Sequence, residues 1–189
     1  MRLGFANPLS GPFAASGERN RQAAQLAVAM LNSAGGVLGH EIRLVTVDDA
    51  CGTDQATAAA LQLVEAGVAA VIGHFCSHSS LLAAPVYEAV GLPMLTPDST
   101  HPRLTEEGRP NVFRLIGRDD EQGRIAGDWL ARRRPGHRIG IVHDGSTYGM
   151  GLALQVQAQL HRRGELEALF RAYTPGAADY GELARQIEA

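Results

Sequence analysis

Short, continuous apolar runs alternate with helical patterns along the whole of this chain, and that alternation leaves few folds open. The runs fall at residues 3–6, 42–47, 69–73, 94–96, 112–115 and 139–143, with a weaker one at 168–172. They do not alternate polar with apolar, so they suit strands of a parallel sheet covered on both faces. Between them, residues 18–34 place Ala23, Ala27, Met30, Leu31 and Ala34 on one face and stop at Gly35-Gly36. Thr53-Asp54 opens a second helix with Ala56, Ala60, Leu63 and Val64 inward, closed by Gly67. A third covers 79–90 and ends at Gly91; Asp119-Asp120 start a fourth carrying Ile125, Ala126, Trp129 and Leu130, with Trp129 expected in the core. The fifth holds Leu152, Val156 and Leu160 and ends at Gly164. Strand and helix at this pitch predict an α/β fold, a doubly wound parallel sheet.

Composition removes several functions. The chain has 189 residues, enough for one domain or one and a fraction of another. Its 45% hydrophobic and 20% charged residues argue against disorder. A net charge of -3, from 17 basic and 20 acidic residues, does not suit a nucleic-acid partner. Every basic residue is Arg, which excludes Schiff-base chemistry and the P-loop, both of which need lysine. The longest uncharged stretch, between Glu65 and Glu88, is interrupted by His, Ser, Gly and Pro85, so no membrane span is expected. A strand follows Met1 almost at once, so no signal peptide is read: the protein is cytosolic, or the chain lacks its native N-terminus.

In doubly wound sheets ligands bind beyond the carboxyl ends of the strands. The loops to watch are therefore 7–11, 48–51, 76–80, 96–100 and 144–148. Cys51 and Cys76 both follow strands; they are incidental in a reducing compartment and bridged in an oxidising one. His74, Cys76 and His78 alternate and, with Cys51, make a rival metal set, although the spacing matches no zinc pattern. Ser77, His78, Ser79 and Ser80 open a helix, whose N-terminus attracts anions; alternatively Ser77 or Ser79 is simply its N-cap. Thr96-Pro97-Asp98-Ser99-Thr100 offers more hydroxyls and one carboxylate, or is simply a Pro-Asp turn. Neither G-x-S-x-G nor a G-x-G-x-x-G after the first strand is present, and Gly145, Gly149 and Gly151 fit no dinucleotide fingerprint. No catalytic constellation emerges, so an enzyme is not expected, nor a cofactor or resident metal. The clearest boundary candidate is Gly117-Arg118.

Several stretches, taken together, carry a resemblance. Leu9-Ser10-Gly11-Pro12, Val47-Asp48-Asp49-Ala50-Cys51 and Ile72-Gly73-His74-Phe75-Cys76-Ser77 are followed in order by Thr96-Pro97 with Thr100. Gly117 with Asp119 and Gln122-Gly123, then Ile141-Val142-His143-Asp144 with Tyr148-Gly149, continue the series. The chain resembles the branched-chain (Leu/Ile/Val-type) amino-acid binding proteins of bacterial ABC importers, of the type I periplasmic binding fold. The resemblance implies a periplasmic receptor that delivers a branched-chain or other small amino acid, or an amide, to the membrane subunits of an ABC permease. A cytosolic amide or amino-acid sensor of the same fold is the alternative. It implies that residues 1–118 form most of one ligand-binding lobe and residues 119–189 the beginning of a second, with the family's later residues beyond Ala189. By position, Cys51 and Cys76 match a disulfide pair, and Ser77 a serine that binds the ligand's α-carboxylate. Thr100 matches a head-group contact, Asp98 a position whose backbone carbonyl receives the α-ammonium, and Tyr148 an aromatic of the second lobe. His78, Ser16, Leu81 and Leu82 depart from the family pattern, His78 directly beside the carboxylate position.

Overall fold

The computed structural model describes residues 1–188, in two compact units, Met1–Ile116 and a second beginning at Gly117. The first unit runs β1 (Arg2–Asn7), α1 (Ala14–Ser33), β2 (Arg43–Asp48), α2 (Thr53–Glu65), β3 (Val71–Gly73), α3 (Ser77–Glu88), β4 (Met94–Thr96), α4 (Arg103–Glu106) and β5 (Val112–Arg114). Every pairing in its sheet is parallel, in the order β2-β1-β3-β4-β5, with Phe5 opposite both Thr46 and Ile72. The winding reverses beside β1, so the loops after β1 and β3 leave in opposite directions and open a crevice between them. Ala60, Leu63, Val71, Ala83, Tyr87, Met94 and Leu104 fill the core below. Ala56, Ala60 and Leu63 of α2 turn inward as their spacing demands.

Gly73 ends β3 in a backbone conformation (φ +136°) that side chains avoid. A Cβ there would lie 2.1 Å from the Ala6 carbonyl oxygen, so only glycine lets the strand end this close to β1.

α1 corrects one expectation. The face assigned inward is exposed, Met30 at 63% and Leu31 at 44%. Polar tethers hold the helix instead: the Asn32 side chain donates to the Ile42 carbonyl and accepts from its amide, both at 2.8 Å. Apolar spacing reports a helix; it does not say which of its contacts fix it.

The second unit comprises α5 (Asp119–Arg133), β6 (Gly140–His143), α6 (Thr147–Arg162), β7 (Leu169–Ala172) and α7 (Gly181–Glu188). β6 and β7 pair in parallel, and Ile139, Ile141, Ala153 and Leu160 form its core. Here Trp129 is 50% exposed and Ile125 55%, against the expected core stripe. The buried face of α5 is Gly123, Gly127 and Asp128. A Cβ at Gly123 would meet the Gln155 Cβ at 2.3 Å, so the two helices touch backbone to side-chain root, and the glycine face, not the larger apolar one, turns inward. Across this seam the Asp128 carboxylate accepts from Arg163 Nε at 2.7 Å and Gln159 Nε2 at 2.6 Å. Arg163, then Gln159, hold that carboxyl well below the usual range. No described helix is long and apolar enough to cross a membrane.

Cys51 and Cys76 are joined in a disulfide across a sequence separation of 25. Replacing both by serine is expected to cost about 3 kcal/mol through the looser unfolded chain. The measurement is the denaturant midpoint, with the mass after alkylation of unreduced protein reporting whether the bond exists. Gly123→Val is expected to destabilise the second unit by about 1–3 kcal/mol by overpacking the α5–α6 seam; an unchanged thermal midpoint would show that the helices part freely.

Candidate functional site

The carboxyl ends of β2, β3 and β4 meet at His74, which is 0% exposed. Its Nδ1 lies 2.6 Å from Asp49 Oδ2, and its Nε2 lies 3.0 Å from the Tyr87 hydroxyl. With Nδ1–H donating to the carboxylate, Nε2 accepts the phenolic proton, and every member has a partner. Burial, and secondly the charge of Asp49, hold the Tyr87 phenol above its ordinary range, so it stays a neutral donor. A Tyr–His–Asp chain resembles a proton relay, but all three side chains are sealed from solvent. It builds the site and touches nothing that enters.

The His74 main chain does the second half of this work. Its carbonyl accepts from Thr96 Oγ1 at 2.8 Å and from Ser99 Oγ at 3.1 Å. Ser99 Oγ also lies 2.7 Å from Ser80 Oγ. Thr96 Oγ1 in turn accepts the Ser99 amide at 3.0 Å, which folds the loop after β4 back on β3. Arg114 of β5 pins the far side of that loop, donating to the Ser99 and His101 carbonyls at 3.2 and 2.9 Å. The loop after β2 is held as firmly. Ala50 and Cys51 both take left-handed backbone (φ +47° and +50°), supported by bonds from their amides to Asp48 and Asp49.

These fixtures place the start of α3. The helix begins at Ser77, two residues earlier than its spacing suggested, and its N-cap is Cys76, which makes no side-chain capping bond. The reading of Ser77 or Ser79 as the cap is therefore corrected: both lie inside the first turn. The first backbone bond of this turn runs from the Ser80 amide to the Cys76 carbonyl, at 3.0 Å. The preceding amides of residues 77–79 are the orphan donors of a helix N-terminus. Ser77 Oγ accepts from the Thr100 amide at 3.3 Å, so the loop after β4 lies directly against this turn. Ser79 Oγ and Thr100 Oγ1 are buried with no hydrogen-bond partner among the described residues. Unmet hydroxyls beside free helix amides, under a positive dipole end, make a cradle for an anionic group such as a carboxylate.

Of the residues singled out in the sequence, Ser77, Asp98 and Thr100 come together here, and half-buried His78 sits on the same first turn. Tyr148 belongs to the second unit, near the start of α6, and is 46% exposed. The sulfurs of Cys51 and Cys76 are spent on each other and His74 is engaged, so the metal reading loses its ligands. Three features escaped the sequence reading: the His74 relay, the Asn20 amide bonded to Asp98, and a Phe13–Phe75 ring pair (centroids 6.0 Å apart) between the loops after β1 and β3. The hydroxyl clusters were visible as runs; these partners are not, because they lie 13 to 78 residues apart.

Residues 1–189 match the family described as periplasmic binding protein. An amino acid binding protein of Pseudomonas aeruginosa is 42% identical over 188 residues, a match covering 99% of this chain and 50% of that protein. A Leu/Ile/Val-binding protein of Escherichia coli K12 is 36% identical, with 100% of this chain and 51% of that protein covered. A solved substrate-binding protein of a branched-chain amino acid transporter from Streptococcus pneumoniae, in complex with isoleucine, superposes with a TM-score of 0.87 at 25% identity. That likeness covers 100% of this chain and 54% of the other. The chain spans about half the length of the curated relatives it matches.

Tyr87→Phe leaves His74 Nε2 buried without a donor, and an orphaned buried group costs about 1–3 kcal/mol. The expected result is a lower urea midpoint with unchanged slope; equal midpoints would show that the phenol is dispensable.

Proposed function

The chain belongs to the periplasmic binding protein family, and from that premise we propose that it serves in an extracytoplasmic receptor for a branched-chain or other small amino acid. The carrying observation is the start of α3, where Ser77, the free amides of residues 77–79 and the unpartnered hydroxyls of Ser79 and Thr100 gather. In this reading the ligand's α-carboxylate supplies the acceptors that these donors lack. Asp98, two residues from Thr100, contributes to holding the α-ammonium, through its backbone carbonyl and its own carboxylate. The Phe13–Phe75 pair offers apolar surface to an aliphatic side chain, and half-buried His78 borders the carboxylate position. The relatives' names supply the ligand class, and they are binding proteins rather than enzymes.

Delivery to the membrane subunits of an ABC permease and a periplasmic location belong to the same proposal. The Cys51–Cys76 bond supports them over a cytosolic amide sensor, since disulfides persist where the surroundings oxidise.

Ser77→Ala in the full-length gene product tests the reading. A hydrogen bond to a charged group contributes about 1.5–3 kcal/mol, so affinity is expected to fall roughly ten- to a hundredfold. Calorimetric titration with leucine, isoleucine, valine and alanine is the measurement. Affinity unchanged from the parent would show that Ser77 serves only the loop after β4.

A further inference from the structure

Asn20 lies half-buried on α1 and donates twice from one nitrogen. Its Nδ2 reaches Asn7 Oδ1 at 3.0 Å and Asp98 Oδ2 at 2.9 Å. Asn7 is itself fully buried at the end of β1, and its amide donates to the Ala6 carbonyl at 2.7 Å. Both hydrogens of Asn20 Nδ2 are thus committed to acceptors, and a flipped amide would set its oxygen against a carboxylate. The orientation is fixed from the strand outward: Ala6, Asn7, Asn20, Asp98.

Asp98 gains one amide from this chain and nothing more. No cation pairs with it among the described residues, and Oδ1 carries no hydrogen bond. Burial raises its carboxyl above the usual carboxylate range, with the bond from Asn20 opposing. The folded protein therefore holds the Asp98 proton more tightly than the unfolded chain does. Between the two titrations stability falls as pH rises, and at neutral pH the ionised group subtracts from stability. A carboxylate kept at such a cost lacks its cation in the protein itself. The Asp98 Cα stands at most about 7.6 Å, two Cα steps, from that of Thr100, whose amide bonds Ser77 at the start of α3.

We propose that Asn20 is a positioning residue for zwitterionic ligands: its paired donation fixes Asp98 so that Oδ1 is left to a ligand ammonium while α3 takes the carboxylate. The first unit then reads both charged ends of an amino acid. This rests on the amino-acid reading above and adds a residue and a selectivity to it.

Titrate the full-length gene product with leucine, isoleucine, valine and alanine, and carry the tightest binder forward with its 2-hydroxy analogue, in which a hydroxyl replaces the ammonium. The parent is expected to prefer the amino acid by at least about tenfold. Asp98→Asn should weaken amino-acid binding roughly ten- to a hundredfold, and Asn20→Ala about tenfold. Because Asn20 acts through Asp98, the double variant should bind no more weakly than Asp98→Asn alone. The ligand-free melting temperature of Asp98→Asn should equal or exceed the parent's. Additive losses in the double variant, or no loss on Asn20→Ala, overturn the inference while leaving the receptor reading intact. Equal affinity for the hydroxy acid overturns the role of Asp98. No binding of any of the four amino acids overturns the receptor reading and this inference together.

Discussion

The strand-end loops of the first unit hang on a single residue with no access to solvent. His74 spends its ring on Asp49 and Tyr87 and its carbonyl on Thr96 and Ser99, so one residue ties β2, β3, β4 and α3. Buried polar groups stabilise a unique arrangement only when each has its partner; half-satisfied, they weaken the fold. Here the ring and the carbonyl are both served, and the hydroxyls that serve them leave the neighbouring Ser79 and Thr100 unserved. The network around His74 is closed, and two of the hydroxyls that remain open, those of Ser79 and Thr100, lie beside the start of α3. That contrast between satisfied scaffold and unsatisfied cradle is the physical content of the site.

The strands were the legible part of the chain. Continuous apolar runs such as residues 69–73 leave little choice but a strand inside a parallel sheet, and even the weak run at 168–172 forms β7. Helix existence was legible too, but helix orientation was not. Ile125 and Trp129 make an apolar stripe at helical spacing, yet Gly123 and Gly127 decide which side of α5 faces inward. A method that weighs apolar size overlooks a surface whose value lies in having no side chain. On α1 the same bias pointed to Met30 and Leu31, while Asn32 makes the tether. One hydroxyl run, at Ser77 to Ser80, and a Pro-Asp loop were enough to find the neighbourhood of the site. They were not enough to find what orients it, since Asn7 and Asn20 look unremarkable apart and meet Asp98 only once β1, α1 and the loop after β4 are folded.

The two units are stabilised by different chemistry. The first relies on neutral hydroxyls and one Asp–His–Tyr chain, sealed from water. The second relies on a glycine seam clamped by Asp128 with Arg163 and Gln159, a pairing at the rim of solvent. Arg163 at this clamp is half-exposed, so added salt screens it, whereas the sealed His74 chain lies out of its reach.

The loops after β2 and β3 are joined twice over, by the Cys51–Cys76 bond and, two residues nearer the sheet on each side, by Asp49 and His74. One tie answers to the electron-transfer chemistry of the surroundings; the other ignores it. The loops can therefore keep the same course while the cysteines are reduced, with oxidation trimming only the freedom of the unfolded chain. A relative without the two cysteines could keep the same loops, because the template for their shape is an imidazole and a carboxylate rather than a covalent bond.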